Sequence, residues 1–139
     1  KRIREKFEKA IPALKTLKQA VAIKYRNQKW IYGLDKRKLM CRAEYSSLNT
    51  LIQSAGALLV KAGTILLNQS LASAGFVWGK DYRMVLHVHD EMQFVVHRDK
   101  IEEFKIIAST LFNKTKEYFN FKCELAGEIK VGQNWSETH

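Results

Sequence analysis

The stretch from Glu44 to Leu71 limits the possible folds most, because it holds no proline and repeats apolar residues three and four positions apart. Leu48, Leu51, Ile52, Ala55, Leu58, Leu59, Ala62, Ile65 and Leu66 make a stripe wide enough to be largely buried. The spacing predicts one long helix that needs other elements to pack against. Ser54-Ala55-Gly56-Ala57 keeps its middle thin, and Gly56 with Gly63 is expected to let another backbone approach closely. Gly56 in particular is expected to lie in a tight small-residue contact.

Gly75 is expected to close this helix, and Arg83 to Val96 then reads as two β-strands joined at His89-Asp90-Glu91. Asp99 is placed to cap a helix running through Phe104, Ile107, Leu111 and Tyr118. A last strand region, broken at Gly127, is expected over Phe121 to Leu125 and Glu128 to Val131. At the other end, Phe7, Ile11, Leu14, Leu17 and Val21 predict an amphipathic helix interrupted by Pro12, so a short helix ends near Ala10 and a second starts at Pro12. Trp30-Ile31-Tyr32 and Lys38-Leu39-Met40-Cys41 flank Gly33 to Arg37 as a small hairpin. These elements predict an α+β fold, a small antiparallel sheet with long helices packed on one face. With 139 residues and 46% hydrophobic content, a single domain is expected.

Charge narrows the partners. Lys and Arg number 24 against 14 Asp and Glu, and 24 − 14 gives a net +10. A polyanionic partner is expected, nucleic acid ahead of an anionic membrane surface. The best apolar run, Leu48 to Leu67, is interrupted by Asn49, Gln53 and Lys61, so no bilayer span and no membrane partner are expected. Cys41 and Cys123 lack CxxC spacing, which fits a reducing, cytoplasmic setting. A start at Lys1 rather than Met suggests a fragment or processed product.

Three constellations carry chemistry. Asp90 and Glu91, adjacent acids between two hydrophobic strands, invite a hard divalent cation such as magnesium; a polar turn is the plain alternative. His87 and His89, two apart on a strand, would share a face as an HxH transition-metal site requires, or serve as hydrogen-bonded or DNA-facing histidines. Asn49 and Gln53, four apart on the long helix, share a face continued by Gly56. Their amides can donate to purine N3 and pyrimidine O2 in a minor groove, or simply make an ordinary polar helix face.

Together these residues resemble family A (Pol I-like) DNA polymerases, particularly the phage replicative branch, over essentially the whole chain. Val88-His89-Asp90-Glu91 is similar to that family's motif C, and Leu48 to Ala57 to its helix bordering the primer-template minor groove. Gly132-Gln133-Asn134-Trp135 through His139 resembles its terminal signature, and the amino-terminal helices and the Trp30 to Asp35 hairpin are similar too. The resemblance implies a carboxyl-terminal palm portion, residues 1–29 coming from the base of the fingers and 30–139 from the palm. It implies Asp90, Glu91 and His89 as the catalytic residues, with Asp90 a ligand of two catalytic magnesium ions and Glu91 the neighbouring acid of the metal site. His89, Asn49 and Gln53 would lie near the primer terminus or its minor groove, and Asn49, Gln53, Arg42 and His139 would contact the DNA. Primer-template DNA and dNTP are the implied partners, in the host cytoplasm if the chain is phage-encoded. Family members commonly carry a basic residue where this chain has Tyr45, with Arg42 one turn earlier. Their other metal-binding aspartate and their fingers helix bearing lysine and tyrosine would lie upstream of Lys1. The metal site is therefore expected to be incomplete, the isolated chain inactive, and the rest of the polymerase or a complementary subunit required. A non-catalytic basic nucleic-acid-binding module is the alternative.

Overall fold

The computed structural model describes Lys6 and residues 9–138. Most of the expected first helix lies outside the described residues, as does His139. The described residues divide into two compact units at the Ala57/Leu58 junction.

In the first unit, helix α1 spans Pro12–Gln28 with Pro12 at its start, where the missing N–H costs nothing. The proline ring disfavours helical geometry in the residue before it. Ile11 accordingly leaves the helical region, at φ −129° and ψ 78°, and the break falls where the sequence predicts it. Lys29 ends α1 in the left-handed region at φ 64°, its N–H bonded to the Tyr25 carbonyl at 2.7 Å. Strand β1 (Trp30–Tyr32) then pairs antiparallel with β2 (Lys38–Met40), Ile31 opposite Leu39. Alternation along so short a strand sends Ile31 inward, at 2% exposure. The expected apolar face of α1 is mostly open: Val21 is buried, whereas Ile11 and Leu17 are exposed. Two three-residue strands offer too little surface to cover it.

A 3-10 turn, Glu44–Ser46, leads into helix α2, Ser47–Ser73, and the boundary between the units falls within α2. Along Asn49, Gln53 and Gly56 the helix surface is exposed. Nothing lies within 4 Å of where a Gly56 side chain would project, which corrects the expectation of a tight contact there. Glu44–Ser73 is also long and apolar enough, by length and composition, to cross a membrane, contrary to the expectation from its polar interruptions.

The second unit packs the later half of α2 with strands β3 (Tyr82–Val88) and β4 (Glu91–Val96) and helices α3 (Ile101–Ser109) and α4 (Leu111–Tyr118). Its core is Leu67, Leu71, Phe76, Tyr82, Phe104, Ala108 and Leu111. Burial of each large apolar side chain contributes roughly 1.5–3 kcal/mol. Close approach belongs to Gly63, where a Cβ would stand 3.3 Å from both Leu111 Cδ1 and Thr115 Oγ1. Gly75, at φ 84°, closes α2 as expected, while the Phe76 N–H reaches back to the Leu71 carbonyl at 2.9 Å.

The α+β expectation holds, its antiparallel strands forming two small two-stranded sheets. Three further expectations need correction. The helix expected through Tyr118 breaks at Thr110, whose hydroxyl turns back to the Ile107 carbonyl at 2.8 Å and competes with the regular ladder. Asp99 lies in a 3-10 turn, Arg98–Lys100, and makes no cap; the residue preceding α3 is Lys100. Residues 121–131 form no strand, and this segment instead runs beside α4. Gly127 lies so close to the Phe112 ring that a Cβ there would be 2.3 Å from Cζ, and Lys116 pairs with Glu124.

Candidate active site at the second hairpin

The site begins with a register. Tyr82 pairs with Val96, Arg83 with Val95 and Met84 with Phe94, but beyond an irregularity between Met84 and Leu86 the pairs become Leu86 with Gln93, His87 with Met92 and Val88 with Glu91. Before the irregularity each pair of numbers sums to 178, which would leave a three-residue loop; after it the sum is 179. Val85 is the extra residue of a β-bulge. That bulge leaves His89 and Asp90 alone as a two-residue tip.

Two-residue hairpin loops follow the strand twist when the first loop residue has positive φ, a position that favours glycine. His89 occupies it at φ 53°. Histidine is among the residues enriched there, yet it lacks glycine's freedom, so this backbone is strained. The same geometry takes His89 out of the strand, and strand alternation therefore does not align it with His87. The expected shared HxH face is not formed by the strand.

Asp90 is exposed at the tip, and Glu91 is half-buried at the start of β4. The Gln93 amide nitrogen donates to Glu91 Oε1, and Thr138 Oγ1 donates to Gln93 Oε1 at 3.2 Å. Thr138 belongs to α5 (Trp135–Thr138), so the terminal helix is tied to the hairpin through Gln93. On the strand's inner side, Thr64 Oγ1 of α2 lies 3.0 Å from the Met92 sulfur. Neither Gln93 nor Thr138 was singled out as functional in the sequence. Period-two spacing from Glu91 could have found Gln93; nothing local points to Thr138.

Among the described residues no group of three His, Cys, Asp or Glu side chains comes together to hold a metal. Asp90 and Glu91 offer hard oxygen donors, a set that suits magnesium, which usually takes one or two carboxylates and fills its remaining positions with water and phosphate oxygens. In the first unit, Asn49 and Gln53 are exposed on one face of α2. Arg42 is exposed just before the 3-10 turn, where its carbonyl accepts from Tyr25 Oη at 3.5 Å. Tyr45 is 91% exposed.

The sequence profile described as DNA polymerase family A matches residues 1–137. This chain belongs to that family. It is 32% identical to the DNA-directed DNA polymerase of Enterobacteria phage T3 and 31% identical to that of Escherichia phage T7; each alignment covers all of this chain and 22% of the relative. The family A chain thus spans about a fifth of the curated relatives it matches. Its fold is similar to that of the polymerase domain of Pol1 from M. smegmatis, solved in complex with DNA primer-template and dNTP. The TM-score is 0.66 and the identity 19%, over 81% of this chain and 21% of that one.

Proposed function

We propose that this family A chain is the carboxyl-terminal palm portion of a template-directed DNA polymerase, with residues 1–29 contributed to the base of the fingers and 30–139 to the palm. It works with the rest of that enzyme, or with a complementary subunit, on primer-template DNA and dNTP. The observation that carries this reading is the bulged hairpin, which exposes Asp90 at a two-residue tip and holds Glu91 beside it through Gln93. Asp90 and Glu91 are the residues that would hold magnesium. When bound, the ion supplies positive charge to the transferring phosphoryl group.

In nucleotidyl transfer the primer 3′ oxygen bonds to the α-phosphorus of dNTP as the bond to pyrophosphate breaks, and the hydroxyl proton is released. The negative charge of Asp90 is this chain's contribution at that centre, with His89 beside it on the tip. Asn49 and Gln53 donate from an open helix face to minor-groove acceptors, a contact that senses base-pair shape without reading sequence. Arg42 and His139 complete the DNA contacts. The free thiols Cys41 and Cys123 suit a cytoplasmic setting, that of the host cell if the chain is phage-encoded.

A two-metal centre needs ions clamped from both sides, so the chain alone polymerises nothing. Mixing it with the upstream portion of its own polymerase tests the reading through nucleotide incorporation. Restored synthesis is the expected result. A basic module that merely holds nucleic acid would restore none, and zinc or iron in the purified protein would favour an HxH enzyme instead.

A further inference from the structure

The first hairpin carries a second constellation, away from the acidic tip in sequence. Trp30 and Tyr32 are two apart on β1 and so project to one face, opposite the side that buries Ile31. Their rings meet edge to face with centroids 4.8 Å apart. The register sets Lys38 directly across from Tyr32 and Met40 across from Trp30, on the same face. Lys38 Nζ stands 4.8 Å from the Trp30 ring centroid, and Lys24 Nζ, reaching over from α1, stands 5.5 Å from that of Tyr32 and 6.0 Å from that of Trp30. Tyr32 is 49% exposed and Met40 73%.

A hairpin that needed only a hydrophobic staple would bury these rings. Here Tyr32 and Met40 are left open to solvent with Trp30 half-buried between them, and the Lys24 and Lys38 ammonium groups stand beside the rings, on a chain of net charge +10. Aromatic faces beside cations are how proteins hold unpaired bases: the ring stacks, the cations neutralise the flanking phosphates, and every base has a face to offer. A duplex presents no free base face, so the chemistry selects a single strand.

We infer that the Trp30/Tyr32 face of the first hairpin, with Lys24 and Lys38, is a stacking site for an unpaired base of single-stranded nucleic acid. It rests on the polymerase reading only for naming the strand, which there would be unpaired template.

The test uses the whole chain, with quenching of tryptophan fluorescence and anisotropy of a labelled (dT)12 as readouts. Tyr32→Leu is expected to weaken (dT)12 binding roughly 5- to 150-fold while its circular dichroism and melting stay near those of the parent protein. Lys38→Gln should lower the slope of log affinity against log salt by about 0.7 if it neutralises one phosphate of the single strand. An abasic twelve-mer of the same charge needs no variant, and it should bind clearly more weakly than (dT)12. Equal affinity for the abasic and thymidine strands would overturn the site, as would a folded Tyr32→Leu protein with unchanged binding; either result would leave only backbone electrostatics. These outcomes are independent of restored nucleotide incorporation, so the site and the polymerase reading can fail separately.

Discussion

Val88 stands directly across from Glu91 in the antiparallel register, and His89 and Asp90 are all that lies between them. The catalytic proposal depends on this pairing, because it turns two neighbouring acids into one exposed at the tip and one anchored on the strand. In the intact polymerase, Asp90→Asn keeps the shape and removes the charge. Incorporation should fall by orders of magnitude with DNA affinity nearly unchanged, since that charge acts on the transferring phosphoryl group more than on the resting complex. In the isolated chain the same change removes repulsion from Glu91, so the melting midpoint should hold or rise slightly. Normal turnover of the intact variant would end the assignment.

His89 at positive φ gives a second test. Glycine relieves the left-handed strain but frees the unfolded chain, two opposing effects of roughly 1–2 and 0.5–1 kcal/mol. His89→Gly should therefore stabilise the chain by about 0.5–1 kcal/mol, and His89→Val, β-branched at a conformation it resists, should destabilise it. Denaturant melts of the pair decide it, and equal midpoints would mean the tip is unstrained.

The two glycines of α2 should respond in opposite directions. Gly56 has open space around it, so Gly56→Ala gains helix propensity and should stabilise by up to about 1 kcal/mol. Gly63 faces Leu111 and Thr115 at 3.3 Å, and Gly63→Leu should cost roughly 1–3 kcal/mol or more by overpacking. Thermal melting of both variants checks the contrast.

Thr115, 4% exposed, leaves its hydroxyl oxygen without a hydrogen-bond partner among the described residues. A buried unsatisfied hydroxyl is unfavourable, and valine keeps nearly the same shape without it. Thr115→Val should raise stability by about 1 kcal/mol in urea denaturation. A loss of that size would show that the hydroxyl finds a partner in solution.

The paired Arg26 guanidinium, donating at 2.6 and 2.7 Å, holds the Glu44 carboxyl below the usual carboxylate range, chiefly through the hydrogen bond, which with the added charge attraction outweighs the opposing effect of desolvation. A depressed carboxylate contributes stability that is present above its unfolded-state pKa and is lost as pH falls through its folded value. The pair is solvent-exposed, so the effect should be small and screened by salt. Comparing acid melts of the parent with Glu44→Gln should show a slightly steeper acid-side loss in the parent, and identical profiles would mean the pair is not held in solution.

Much of this protein is legible in local patterns. Pro12 starts α1 and turns Ile11 out of the helical region because its ring acts on its immediate neighbours, and Gly75 closes α2 because it can adopt φ 84° without strain. The apolar repeats of α2 and the β-branched runs of β3 and β4 are likewise short-range signals, and so is the order of residues around Asp90 that carries the family resemblance. Distant partners decided the rest. Gly56 and Gly63 look alike in sequence, yet only Gly63 has Leu111 and Thr115 against it. Residues 121–131 have the composition of a strand, but a strand needs an edge to bond to, and this segment has α4 and the Phe112 ring beside it instead. The bulge at Val85 sets the loop length at the site, and Thr138 reaches Gln93 across 45 positions of sequence. Propensity and periodicity act over a few residues, whereas register, close approach and side-chain bridging depend on which surfaces meet, and that is decided by the packed structure as a whole.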